Sequence, residues 1–258
     1  MNIETKYIRR ELSAVIEEAY RYFSVITITG PRQSGKTTLI RNLFPHLPYY
    51  SLENLDVRSF AENDPIAFLN QHVKGMILDE VHNAPNLLSY IQGMVDEDAD
   101  RRFILSGSSQ FAMLKKVSQS LAGRTAVFEL LPLSYSEVRE TVTDTPLDHL
   151  LFKGFYPAIY SGRNVPKFLY PAYMKTYLDK DVRDLLQIKD MMQFHMFIRL
   201  CAGRVGSLFK ASELANEIGI SSHTVTAWLS VLQASYIVTL LPPYFEFRGA
   251  VYGECHLF

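Results

Sequence analysis

A chain of 258 residues with 48% hydrophobic and 21% charged side chains has the composition of an ordinary globular protein, which excludes extended disorder and a collagen-like repeat. Its formal net charge of −1 removes any broad basic field that would draw the whole molecule to nucleic acid or to an anionic membrane. Two cysteines, Cys201 and Cys255, make no disulfide framework and read as reduced thiols.

The N-terminal stretch Met1 to Arg21 mixes charges with apolar residues and lacks the uncharged core of a signal peptide. No apolar run approaches the ~20 residues that span a bilayer, so a cytoplasmic protein is expected. Short apolar runs then alternate with helical patterns. The runs are Val25 to Thr29, Tyr49 to Leu52, Met76 to Leu78, Phe103 to Leu105 and Ala126 to Leu130. Between them, Thr37 to Leu43, roughly Asp56 to His72, Asn86 to Val95 and Gln110 to Leu121 read as helices, the second broken in two by Pro65. That rhythm predicts an α/β fold with a parallel sheet flanked by helices.

After Leu130 the rhythm changes. Leu147 to Leu151, Pro171 to Leu186 and Met191 to Ala202 all read as helices with no strand between them, so a P-loop domain over residues 1–130 and a mainly helical domain over 131–258 are expected. Within Ala172 to Leu186, Tyr173, Tyr177, Leu178, Val182 and Leu185 fall on one face, the pattern of a packing helix. Ser212 to Ile218, Gly219 and Ser222 to Gln233 read as a helix-turn-helix, followed by a β-rich run, Tyr236 to Leu241. Together they suggest a winged-helix element at about 208–241.

The stretch Gly30-Pro31-Arg32-Gln33-Ser34-Gly35-Lys36-Thr37 matches G-x-x-x-x-G-K-[ST] and sits between a strand and a helix, the context such a loop requires. Its glycines let backbone N–H groups turn inward, and the helix that follows, with Thr38 in its first turn, presents its positive end to phosphates. Lys36 is placed to reach the β- and γ-phosphates and Thr37 to ligate Mg²⁺, which makes ATP with Mg²⁺ the expected ligand. The buried run Met76-Ile77-Leu78 ends in Asp79-Glu80, with Asp79 suited to the metal and Glu80 to the attacking water. Phe103-Ile104-Leu105 ends in Ser106-Gly107-Ser108, where Ser106 and Ser108 are both candidates to hydrogen-bond the γ-phosphate or its water; turn formation alone also explains such residues. Arg124 follows Gly123 and precedes a strand, a placement that suits either an arginine finger for a neighbouring subunit's nucleotide or an ordinary surface arginine. His82 lacks the clustered spacing of a transition-metal site and reads as a loop histidine.

The order of these motifs resembles the AAA+ superfamily. More narrowly, it is similar to a prokaryotic, archaeal-type family of ATPases whose P-loop domain precedes a helical domain of unknown function containing a winged helix. The matching stretches are GPRQSGKTTL, MILDEVHNAP, FILSGSSQF, SLAGRTAVFELLPLSYSEV, GFYP and YLDKDVRDLL. The resemblance implies a five-stranded central sheet and supports Lys36 and Thr37 for nucleotide and metal, Asp79 and Glu80 for metal and water, Ser106 as the sensor-like residue and Arg124 as the finger.

Two functions are weighed. The first is an ATP-hydrolysing conformational switch, with a homo-oligomer in which Arg124 acts in trans and an unidentified protein partner. The second is a winged-helix DNA-binding regulator that uses ATP as a ligand with little turnover. Ala211 to Leu241 contains Glu213 and Glu217 but no lysine or arginine, so phosphate neutralisation has nothing to work with there and direct nucleic-acid binding is disfavoured. His223 reads as a polar turn residue and Trp228 as a core anchor.

Beyond Glu246 the family's continuation, an Asn-Phe-Gly-x-Arg stretch and a Ser-Pro-Lys strand, is replaced by a different tail. Read one nucleotide out of phase, that tail permits Phe-Gly-Glu-Arg-x-Met-Glu-Ser. The expectation is a tail out of frame or prematurely terminated from about Phe247, leaving Ile237, Val238, Leu240 and Leu241 under-buried; a natural short C-terminus is the alternative.

Overall fold

The computed structural model describes residues 7–107, 117, 120–178, 190–242 and 256–257. Ser108, most of the helix expected over Gln110 to Leu121, the charged stretch from Asp179 to Leu186 and the tail from Phe247 apart from His256 and Leu257 lie outside the described residues.

The chain divides into two compact units, one ending at Pro166 and the other starting at Lys167. In the first, α1 (Leu12–Ala19), β1 (Val25–Thr29), α2 (Lys36–Leu43), β2 (Tyr49–Ser51), α3 (Leu55–Asn63), α4 (Pro65–Asn70), β3 (Gly75–Asp79), α5 (Leu87–Glu97), β4 (Arg102–Ser106) and β5 (Thr125–Glu129) follow one another. The strands form a five-stranded sheet in the order β2-β3-β4-β1-β5, with every pairing parallel. A parallel sheet covered on both faces needs apolar side chains on both, and the central strands show why theirs read as unbroken apolar runs. Val25, Met76, Leu78, Phe103 and Leu105 pack on one side with Phe68, Leu69, Leu88 and Ile91 of α4 and α5. Ile26, Ile28, Ile77 and Ile104, one residue out of step, pack on the other with Ile16, Leu39 and Ile40 of α1 and α2.

Local chemistry sets the helix starts. Asn54 accepts hydrogen bonds from the backbone N–H groups of Asp56 and Val57 at the head of α3. Asp64 does the same for Ala67, with Pro65 at the first helical position of α4, so the expected break at Pro65 is a capped restart. Gly30, at φ +143°, lies where the backbone passes close to the chain leaving β5: a Cβ there would lie 2.2 Å from the Leu130 carbonyl oxygen.

The rhythm change near Leu131 marks the end of the sheet, while the compact unit continues. Here α6 (Tyr135–Val138), α7 (Leu147–Lys153) and α8 (Pro157–Tyr160) follow, and Leu133, Val138, Val142 and Leu150 form a small core with Ile8, Phe155 and Tyr160. A capping box starts α6, Ser134 accepting from the Glu137 N–H while the Glu137 carboxylate accepts from the Ser134 N–H.

The second unit holds α9 (Pro166–Tyr173), a π-helical turn at Met174–Leu178, α10 (Met191–Ala202), α11 (Ala211–Ile218) and α12 (Ser222–Ala234). Gly219, at φ +78°, makes the left-handed turn between α11 and α12, and Ser221 caps α12 through the Thr224 N–H. Phe194, Phe197 and Trp228 centre the core, with the Phe194 and Trp228 rings edge-on at 5.3 Å. Trp228 is the core anchor that the sequence suggests, and His223 is exposed.

The strand expected over Tyr236 to Leu241 shrinks to β6 (Leu240–Leu241), which pairs antiparallel with β7 (His256–Leu257). The reason lies in the end of α12. Tyr236 adopts φ +60° and the N–H groups of Ile237 and Val238 donate back to the Leu232 carbonyl, so the chain winds off the helix before it can extend. Of the four residues expected to be under-buried, Ile237, Val238 and Leu240 are partly buried against the Phe194–Trp228 core and Leu241 is exposed. No helix among the described residues is long and apolar enough to cross a membrane.

Phe194 is fully buried in this small core. Phe194→Ala should cost about 3–5 kcal/mol of stability through lost burial and the cavity left behind. Denaturant unfolding followed by the fluorescence of Trp228, the sequence's single tryptophan, measures it. A loss under about 1 kcal/mol would contradict the packing described.

Candidate functional site

The loop between β1 and α2 winds tightly, with Gln33 at φ +61° and Gly35 at φ +95°. None of the N–H groups of Gly35, Lys36 and Thr37 donates to a protein acceptor among the described residues, as expected of a helix start. Lys36 is 5% exposed, and its ammonium donates across the loop to the carbonyl oxygens of Gly30 at 3.0 Å and Pro31 at 2.9 Å. Burial lowers the Lys36 pKa; the Glu80 and Asp79 carboxylates oppose that shift, and Arg32 adds to it. Thr38 lies exposed on the same first turn of α2.

Asp79 ends β3 and is 4% exposed. Its Oδ2 accepts from the Thr37 hydroxyl at 2.6 Å and from the Tyr49 phenol at 2.7 Å. Its Oδ1 accepts from the Glu80 N–H at 3.1 Å and from the Ser106 hydroxyl. Four elements of the chain thus meet on one carboxylate. Burial, followed by the hydrogen bond to Asp79, raises the Tyr49 pKa and holds the phenol as a donor. The Arg41 guanidinium lies over the same ring, 5.0 Å from its centre.

Glu80 takes left-handed backbone angles, φ +53° and ψ +47°. That conformation costs a non-glycine residue on the order of 1 kcal/mol and recurs at functional sites. It turns the chain between the two acids: Asp79 joins the buried cluster, while the Glu80 carboxylate lies 3.1 Å from His82 Nδ1. That contact has the distance of an ion pair without hydrogen-bond alignment at Nδ1. His82 sits on a one-turn 3₁₀ helix, Val81–Asn83, and no group of three metal-ligating side chains occurs among the described residues.

The structure therefore gathers Lys36, Thr37, Asp79, Glu80 and Ser106 at the strand C-termini. Ser106 is fully buried and spends its hydroxyl on Asp79, a different partner from the phosphate or water expected of it. Arg124 is elsewhere. Its carbonyl accepts from the Val25 N–H at the start of β1, about 17 Å of strand away from the loop. Its guanidinium forks onto Asp96 of α5, with Nη2 to Oδ2 at 2.8 Å, and holds that carboxyl below its usual range.

Sequence reasoning missed Tyr49, Asp96, Arg10 and Glu137. Arg10 is 7% exposed and donates to the carbonyl of Ser34, inside the loop, at 2.9 Å. The spacing Ser134-x-x-Glu137 is a capping-box signal that could have drawn attention to Glu137. Nothing in local pattern singles out Tyr49.

Residues 22–139 match the family model described as "AAA domain", and residues 144–251 match that of a domain of unknown function. An uncharacterised protein of Mycobacterium tuberculosis is 29% identical over 248 residues, covering 93% of this chain and 55% of the relative. One of Methanocaldococcus jannaschii is 22% identical over 247 residues, covering 83% and 55%. The chain thus spans about half the length of the curated relatives it matches. Among solved structures, a Walker-type ATPase of Pyrococcus abyssi superposes with a TM-score of 0.61 at 14% identity, covering 90% of this chain and 91% of that one, a likeness of fold.

Tyr49→Phe removes one of the donors to a buried carboxylate and should lower stability by about 1–3 kcal/mol. Urea unfolding of the two proteins measures it, and an unchanged midpoint would contradict the part assigned to this phenol.

Proposed function

We propose that this chain, whose residues 22–139 form an AAA+ P-loop ATPase domain followed by a domain of unknown function, binds ATP with Mg²⁺ and hydrolyses it as a nucleotide-driven conformational switch. The observation that carries the reading is the convergence of Thr37 and Asp79, 2.6 Å apart, at the mouth of a loop whose leading amides have no protein acceptor among the described residues. The donors fit the ion: Thr37 and Asp79 offer hard oxygen atoms, which Mg²⁺ prefers. When bound, Mg²⁺ supplies charge neutralisation for the β- and γ-phosphate oxygens.

The residues have separable roles. Lys36 exchanges the Gly30 and Pro31 carbonyls for phosphate oxygens, so its burial turns from a cost into a strong charge–charge interaction. Thr37 and Asp79 hold the metal and its waters. Tyr49 and Ser106 hold the Asp79 carboxylate in orientation, which makes Ser106 a positioning residue. Glu80 leaves His82 to orient the attacking water and accept its proton. Arg124 lies too far from its own loop to reach that loop's nucleotide, which favours action on a neighbouring subunit's nucleotide after it releases Asp96.

The helical part, residues 131–258 with its winged-helix element, is the natural receiver of the nucleotide state. A protein surface suits that element better than DNA, because no lysine or arginine occurs from Ala211 to Leu241.

Lys36→Ala should abolish nucleotide binding. Glu80→Gln should keep binding and lose turnover by a factor on the order of 10²–10⁴, the usual worth of a general base. Nucleotide binding and phosphate release, measured on both variants, test the assignment; normal turnover by Glu80→Gln overturns it.

The trans role has its own test. Mixing Arg124→Ala protein with Glu80→Gln protein should restore part of the activity missing from each. Failure to restore it, with activity independent of protein concentration, rules out the trans role.

A further inference from the structure

We propose that Arg10 is a positioning residue of the nucleotide site, fixing the Ser34–Gly35 peptide so that the Gly35 N–H faces the phosphates. The proposal rests on the ATP-binding reading above. Arg10 lies just before α1, far in sequence from the loop, and each of its three guanidinium nitrogens is hydrogen-bonded. Nη1 donates to the Ser34 carbonyl at 2.9 Å, Nη2 to the carbonyls of Leu131 at 2.7 Å and Pro132 at 3.1 Å, and Nε to both Glu137 carboxylate oxygens at 3.0 Å. Glu137, with a side chain 4% exposed, is itself held by the N–H groups of Glu11 at 2.7 Å and Ser134 at 2.9 Å. A buried ion pair held by this many further hydrogen bonds is rigid, because moving either partner leaves an unpaired charge.

That rigidity acts on one peptide unit. In a planar trans peptide the C=O and the N–H that follows it point to opposite sides. With the Ser34 carbonyl held by Arg10, the Gly35 N–H is turned away from Arg10. Gly35, at φ +95°, is the residue beside which a peptide turns over at least cost, since glycine occupies both signs of φ. The conformational freedom that lets the loop form therefore also lets this amide turn the wrong way, and Arg10 removes that choice. The Gly35 amide then heads the row continued by Lys36 and Thr37 at the start of α2, where an anion gains charge-assisted bonds.

A residue that only staples the N-terminal segment to the 131–137 stretch would alter stability and leave the Gly35 amide alone. The test labels the protein with ¹³C-carbonyl serine and ¹⁵N-glycine, which makes visible only the Ser–Gly peptides 34–35, 106–107 and 161–162. ADP with Mg²⁺ is titrated into wild type, Arg10→Met and Arg10→Lys. In wild type the Gly35 amide should shift on saturation. In Arg10→Met the affinity should fall about ten- to hundredfold, the worth of a hydrogen bond to a charged group, and the Gly35 shift should shrink while Gly162 stays in place. Arg10→Lys keeps the charge but cannot serve every acceptor, and should fall between the two; if Arg10→Met does not fold, this variant decides. A wild-type Gly35 shift in the variants, whether or not affinity falls, overturns the proposal and leaves the ATP reading standing. Absence of ADP binding by wild type sinks both.

Discussion

The first unit depends on one buried carboxylate. Asp79 ends the second strand of the sheet, and its two oxygens accept from Thr37 of α2, Tyr49 of β2, Ser106 of β4 and the neighbouring Glu80 N–H. A charge taken out of water costs several kcal/mol unless it is paired and hydrogen-bonded, so these donors must arrive together. Their convergence ties the register of three parallel strands to the position of the first turn of α2. The sheet core could tolerate small adjustments among its Ile, Leu and Val side chains; the Asp79 cluster is far less forgiving.

Around this anchor the loop is held from two sides by cations with different tasks. Lys36 bridges the loop's own carbonyls at Gly30 and Pro31, bonds that a phosphate can replace. Arg10 grips the Ser34 carbonyl and is itself locked by Glu137. In the proposed site one cation changes partners and the other stays. The difference follows from chemistry: a lysine ammonium is a compact point charge on a flexible stem, whereas a guanidinium fork bonds in several fixed directions at once. Glu80 is turned by its left-handed backbone toward His82, while Asp79 is bound into the scaffold.

Much of this was legible in the sequence. Val25 to Thr29 is a strand to the residue because a buried parallel strand between a helix and a P-loop has few other solutions, and Pro65 reads as a helix restart because its ring cannot continue the helix before it. The P-loop and Asp79-Glu80 were visible because contiguous residues carry their chemistry. Tyr49, Arg10 and Glu137 were not, since each acts through contacts across 24 to 127 positions that no local pattern records. Ser106 was found for its place at a strand end, yet its partner is a carboxylate two strands' ends converge upon, a matter of register. The wing strand was over-read: Tyr236 to Leu241 has strand-forming residues, but the closing turn of α12 takes up the backbone N–H groups of Ile237 and Val238 first.

Lys36, Thr37 and Asp79 are proposed to form a joint site for a nucleotide and its magnesium ion. Calorimetric titration of ADP, with and without Mg²⁺, tests it most directly. Saturable binding that Mg²⁺ tightens is expected, because the Thr37 and Asp79 oxygens would then share the ion with the phosphates. Binding indifferent to Mg²⁺, or no binding at all, would contradict it.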